Sequence, residues 1–250
     1  MERVAYVAGK FYPADPEELR GSITGFLGEP GREVSIPGII VPHAGIMYSG
    51  KTAGAVIGKI KVPDTVVIFG PNHTGFGTAI SVYPGGNWNT PLGSVEVDSS
   101  LAKEITKNSE YAELDEKAHI SEHSIEVLLP FLQVKNKNLK IVPIAIGTSN
   151  IDVVVDVADA IDKSTDDREI LFVASSDFTH YEPEYTAKAR DKVAINSLKE
   201  LDWEKFIQIS VDKEMSICGV IPIAIVTELS KKRGDIRKTS CLFKFWRNES

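Results

Sequence analysis

Short apolar runs separated by amphipathic segments set the pattern of this chain. Gly38–Val41, Thr65–Phe69, Ile141–Ile146 and Ile170–Val173 are nearly continuous and rich in β-branched residues. Runs without polar alternation predict strands covered on both faces, as in a parallel sheet. Helices are predicted between them: about 15–27, Lys51–Ile60, Ser121–Leu132, Ile151–Ile161 and Pro183–Leu198. In Ser121–Leu132, the residues Ile125, Leu128, Leu129 and Leu132 recur at helical spacing, and Ser121 is a candidate N-cap. Strands alternating with helices imply βαβ units. One stretch departs from this. Ala79–Pro84 and Gly93–Val97 flank GGNWNTPL and read as a hairpin, so a mixed sheet is expected. The Gly- and Pro-rich stretch Gly28–Gly38 reads as a loop, not a domain linker. The prediction is one α/β domain over residues 1–250, with a mostly parallel central sheet flanked by helices.

Composition narrows the function classes. A formal net charge of −7 argues against a general nucleic-acid or anionic-membrane binder, because phosphate binding needs basic surface. The longest apolar-rich run, Ile217–Val226, is too short to span a bilayer and contains Gly219 and Pro222. The N-terminal residues lack the apolar stretch of a signal peptide. Two cysteines, Cys218 and Cys241, exclude a disulfide scaffold and favour a reducing compartment. A cytoplasmic protein is therefore expected, with no nucleic-acid or membrane partner.

The histidines carry the candidate chemistry. His43 follows the strand ending at Val41, His73 follows the one ending at Phe69, and His180 follows the one ending at Val173. The C-terminal ends of parallel strands lie on one edge of the sheet, where α/β proteins place their ligands. Sequence-distant histidines therefore converge in one cleft. Imidazole there serves as a transition-metal ligand or as a general acid/base. Asp177, three residues before His180, is suited to orient an imidazole, ligate a metal or hydrogen-bond a backbone turn. Cys218 has two readings. One is a buried inert thiol; the other is a thiolate ligand at a helix N-terminus. Cys241 reads as an incidental thiol. His119 to His123 matches H-x-x-E-H, an inverted zinc-peptidase pattern. On a continuous helix His119, Glu122, His123 and Glu126 lie opposite the apolar face, which is equally the pattern of a solvated surface. Trp88 and Tyr48 read as packing or rim residues.

The motifs AGKFYPADPEEL, VPHAGIMYSG, FGPNHTGFG, NTPLG, SEHSIEVLLPFL, SSDFTHY and SICGVIPI follow one another along the chain. In this order they resemble the motifs of the MEMO protein family over residues of about 5 to 230. The resemblance implies a microbial member with a fold similar to class III extradiol dioxygenases, non-haem iron enzymes that open catechol rings. It implies a metal held by His43, His73 and Cys218, with iron or copper as the metal and zinc as a further candidate. It places His123, Asp177 and His180 in the same cleft, where His123 or His180 would move protons and Asp177 would orient them. Two functions follow from it: metal-dependent redox or dioxygenase-like chemistry, or a non-catalytic pocket for a peptide or small anionic ligand, as animal members have been described to bind phosphotyrosine peptides. Two features depart from the expected pattern. Cys218 stands where a dioxygenase would use a carboxylate. The C-terminal KTSCLFKFWRNES does not resemble the family's final strand. The oligomeric state is left open.

Overall fold

A computed structural model describes residues 2–166, 168–180 and 182–234. In chain order the strands are β1 (Glu2–Arg3), β2 (Gly38–Val41), β3 (Thr65–Pro71), β4 (Ile80–Val82), β5 (Gly86–Thr90), β6 (Gly93–Val97), β7 (Ala112–Leu114), β8 (Lys140–Ile146) and β9 (Ile170–Ser175). The helices are α1 (Pro16–Leu27), α2 (Ile46–Ile57), α3 (Ser99–Asn108), α4 (Leu129–Lys135), α5 (Asp152–Ser164), α6 (Glu184–Lys199), α7 (Trp203–Asp212) and α8 (Val220–Lys232). The strands form one sheet in the order β1-β5-β6-β8-β3-β9-β2, with β4 paired to β8 and β7. All pairings are parallel except β4 with β8 and β5 with β6. This is the predicted α/β architecture. Alternate residues of β3 point to opposite cores: Val67 and Phe69 into one, Val66 and Ile68 into the other. Helices α3, α5, α6, α7 and α8 cover the first face, and α1, α2 and α4 the second. Burial on both faces explains why the central strands carry no polar alternation. Among the described residues no helix is long and apolar enough to cross a membrane.

Three predicted elements differ. The hairpin exists, but GGNWNT supplies its first strand: β5 pairs with β6, while β4 crosses to β8. Helix α2 starts at Ile46, not Lys51, and so follows His43 by two residues of turn. Gly50 and Gly54 are required in it because a Cβ at either would strike Phe26 at the end of α1.

The third difference is the largest. Ser121–Leu132 is not one helix. The chain makes short 3-10 turns at Lys117–His119 and Glu126–Leu128, and α4 begins only at Leu129. The apolar residues Ile125, Leu128, Leu129 and Leu132 are buried as their spacing requires. Glu122 and Glu126, however, are buried too, and are not a solvated face. Glu126 accepts hydrogen bonds from Arg3 Nη1 (2.7 Å), the amides of Tyr6 and Val7, and the Tyr12 hydroxyl (2.6 Å). Arg3 also donates to the carbonyls of His119 and Glu122 and lies 4.1 Å from the Trp88 ring centroid. Each buried charge is satisfied only in this irregular path, so the network overrides local helical preference.

Removing one partner of a buried ion pair strands the other, at a typical cost of about 3–5 kcal/mol. Arg3→Ala should therefore destabilise the fold by roughly that amount in urea titrations. The double change Arg3→Met/Glu126→Leu should be milder than Arg3→Ala alone. A double variant no more stable than the single one would contradict this account.

Candidate metal centre

Strands β3, β9 and β2 are adjacent and parallel, so their C-terminal ends deliver loops to one edge. His43 leaves β2 in a turn fixed by Asp177. One carboxylate oxygen of Asp177 accepts from the amides of His43 (2.9 Å) and Ala44 (3.3 Å). The Ser175 hydroxyl donates to the Ser124 carbonyl and contacts His43 Nδ1 at 2.8 Å. With its proton committed to Ser124, that hydroxyl accepts from Nδ1–H. Nε2 of His43 faces Cys218 Sγ, 3.3 Å away, and shares a proton with it in the metal-free site.

His73 leaves β3 and is held by Glu122. The Glu122 carboxylate accepts from the His73 amide and from His73 Nδ1 (2.9 Å), and also from the amides of His123 and Ser124 (2.9 Å each). A carboxylate only accepts, so Nδ1 carries a proton and the other ring nitrogen is turned to Cys218. Cys218 arrives from the α7–α8 loop. Gly219, the N-cap of α8, fits because a Cβ there would strike Ser176, whose hydroxyl accepts from the Gly219 amide. The Asp177 amide points at Cys218 Sγ at 3.2 Å.

The ligand atoms of His43, His73 and Cys218 all lie within 4.8 Å of one another. In a tetrahedral site with metal–sulfur and metal–nitrogen bonds of ~2.3 and ~2.0 Å, sulfur and nitrogen sit ~3.5 Å apart. The observed Cys218–His43 spacing suits that geometry. Each imidazole also has its second nitrogen anchored, His43 to a hydroxyl and His73 to a carboxylate, the usual arrangement behind metal-ligating histidines. These residues can hold a transition-metal ion. His123 joins from the side. Its ring stacks on His73 (centroids 4.7 Å apart) and meets His43 edge-on at 5.5 Å, with Phe11 on its other flank at 4.8 Å. His73, Glu122 and His123 form a second close group that shares His73.

The metal-free electrostatics are those of an ion pair. Burial opposes ionisation of Cys218, but the contacts from His43 and His73 outweigh it and hold the thiol down to about 6. The bond to Cys218, with that to Glu122, raises His73 to about 10. Glu122 is itself held at about 2, because hydrogen bonds from His73 and Ser124 overcome its burial. Burial pushes His123 down to about 4. At neutral pH the cluster is thiolate, imidazolium, carboxylate and a neutral His123.

His180 and Asp177 border a different space. A cavity of about 290 Å³ lies between α2 and α6, lined among others by Ile40, Thr52, Asp177, Phe178, His180 and Asp191. His43, His73 and Cys218 do not line it. His180 is positioned by reciprocal hydrogen bonds with Ser216, 2.9 Å each, and by its Nδ1 contact to the Phe178 carbonyl at 2.8 Å. His119 belongs to neither ligand group among the described residues. It is fully buried and its Nε2 bonds to the Ser81 carbonyl at 3.0 Å, so H-x-x-E-H does not form a helical zinc motif here.

Comparison with known proteins places the chain in a family. The family described as Memo-like protein matches residues 3–246. The chain belongs to the Memo-like family. It is 41% identical to a MEMO1 family protein of Sulfolobus acidocaldarius, with 94% of this chain and 89% of the relative covered. It is 42% identical to one from Desulfurococcus amylolyticus (93% and 88% covered) and 41% identical to one from Aquifex aeolicus (91% and 86%). The family match extends past residue 230, so the C-terminal KTSCLFKFWRNES falls mostly inside it. That segment, with Cys241, lies outside the described residues.

Sequence reasoning passed over Ser175 and Phe11, and named Glu122 only within H-x-x-E-H, with a solvated face as the alternative. Its position beside His123 was the available signal. Ser175 was embedded in SSDFTH and Phe11 in GKFYPADPEE, with no chemistry to separate them from packing residues.

The thiolate is the nucleophilic form, and it accumulates above the thiol's pKa. In metal-free Cys241→Ser protein, alkylation of Cys218 by iodoacetamide should rise with a midpoint near pH 6. An ordinary thiol gives about 8.5. His73→Gln should move the midpoint upward. An unchanged midpoint would remove His73 as the partner of the thiolate.

Proposed function

We propose that this Memo-like protein binds one transition-metal ion through His43, His73 and Cys218, and uses the cleft for metal-dependent redox or dioxygenase-like chemistry. The observation carrying this reading is the convergence of three ligand atoms within 4.8 Å, with both imidazoles anchored from behind. Iron or copper supplies one-electron redox chemistry at such a site, whereas zinc supplies Lewis acidity alone. The thiolate replaces the carboxylate of a two-His-one-carboxylate centre, which argues against catechol ring opening itself. On holding a metal, His73 would give up the proton it shares with Cys218, so binding should release protons near neutral pH. His123, uncharged and stacked on His73, is placed to accept a proton from a bound ligand.

A second reading is a non-catalytic module that binds a peptide or small ligand. The cavity beside the cluster favours it, because a pocket needs no metal to function. Oxygen consumption under turnover separates the two readings.

Metal analysis of untagged protein purified without chelators should give about one equivalent of iron or copper. His43→Ala, His73→Ala and Cys218→Ser should each weaken metal binding by ~10-fold or more, and Glu122→Gln by ~10–100-fold. Unchanged affinity in all of these variants would overturn the site. By contrast, His119→Ala should leave metal affinity intact. Loss of metal in a folded His119→Ala protein would bring back the zinc-peptidase reading.

A further inference from the structure

The Glu122 carboxylate faces two imidazoles, not one. Its Oε1 lies 2.9 Å from His73 Nδ1 and 3.4 Å from His123 Nδ1. The ligand atoms of these three residues all lie within 4.8 Å of one another. Two ligands held ~2.1 Å from one ion sit ~3.0 Å apart at a right angle and ~3.4 Å apart at the tetrahedral angle. Both carboxylate–imidazole spacings match those values. The two rings lie nearly parallel, with 20° between their planes, and both present Nδ1 to the same oxygen.

The surroundings suit an ion. Phe11 and His73 hold the His123 ring from either side, yet among the described residues neither of its ring nitrogens makes a hydrogen bond. The side chains of His73 and His123 are 36% and 24% exposed, so an ion and its water can reach them, while Glu122 is buried. Oε1 also accepts from the amides of His123 and Ser124, at 2.9 Å each, and these hold it in place without help from His73. An ion here takes the place of one proton. The His73 Nδ1–H bond to Oε1 is exchanged for one bond from each atom to the ion, and that proton leaves to solvent.

We propose that His73, Glu122 and His123 form a second metal position, an alternative to the His43–His73–Cys218 centre, and that it takes a hard divalent cation of the manganese(II) type. Two imidazoles and a carboxylate, with water in the remaining positions, are a donor set for such an ion, whereas a thiolate draws the softer copper(I) to the other position. An imidazole that keeps one proton has one lone pair to give. With an ion on Nδ1, the other nitrogen of His73 keeps its N–H toward Cys218. With an ion on that other nitrogen, Nδ1–H stays on Glu122. The two positions are therefore filled one at a time. This exclusivity rests on the metal reading proposed above, while the second position stands on its own residues.

Manganese(II) titration of the full chain, followed by loss of the free ion's electron paramagnetic resonance signal, tests it. The parent protein should take up one equivalent. His123→Phe keeps a ring stacked between Phe11 and His73 and removes only the nitrogens. It should weaken manganese binding by ~10-fold or more and leave copper(I) affinity unchanged. Cys218→Ser should do the reverse. Copper(I) added to the manganese-loaded protein should release the manganese one for one. Should His123→Phe fail to fold, spin-echo modulation of manganese bound to the parent reads its ligands directly, and nitrogens of two imidazoles should couple to it. No manganese binding up to millimolar concentration would overturn the proposal. So would undiminished binding by His123→Phe, loss of manganese in Cys218→Ser, or coupling to fewer than two imidazoles. Manganese and copper held together would overturn the exclusivity. If copper(I) fails to bind the parent, the His43–His73–Cys218 reading falls, and the second position is decided by the manganese results alone.

Discussion

Glu122 sets the geometry on which the rest of the site depends. Its carboxylate is buried and accepts hydrogen bonds from two loops at once: the turn after β3, through the amide and ring of His73, and its own segment, through the amides of His123 and Ser124. A buried carboxylate with this many donors stays ionised and rigid. It therefore fixes which nitrogen of His73 faces the thiol. The segment that carries Glu122 is tied in turn to the N-terminus, where Arg3 spans the carbonyls of His119 and Glu122 and the carboxylate of Glu126. Two buried carboxylates four residues apart are satisfied from opposite directions, and the chain between them gives up its helix to allow it.

The parallel sheet supplies the other half of the site. Because β3, β9 and β2 are neighbours with a common direction, residues far apart in sequence emerge side by side. Ser175 and Asp177 from the end of β9 orient the ring and the backbone of His43 from the end of β2. Cys218 comes from outside the sheet. It is brought near through the close approach of Gly219 to Ser176, which a side chain at 219 would block. The donor set is thus assembled from three connections, each held by a different local device.

The same contacts explain the site's charge. An imidazolium between a thiolate and a carboxylate is stable because both neighbours favour its proton. A metal held by these residues would take the place of that proton as the positive centre.

Much of this was legible in the sequence. The continuous apolar runs gave the central strands, because residues buried on both faces cannot alternate. The position of each histidine just past a strand end placed His43 and His73 on one edge, and parallel pairing did the rest. His180 also follows a strand end, yet it borders the cavity beside the cluster, because its loop is drawn to Ser216. The tertiary structure decided the remainder. Helical spacing in residues 121–132 was real, and its apolar members are buried, but spacing cannot report that Arg3, Tyr6 and Tyr12 lie close enough to claim Glu126. Nor could it separate an inert core thiol from one set against two imidazoles, because those imidazoles belong to His73 and His43, 145 and 175 positions earlier in the chain. Local pattern reflects which face of an element is apolar. The ionisation state and orientation of a buried polar group depend on partners that only the folded chain brings near.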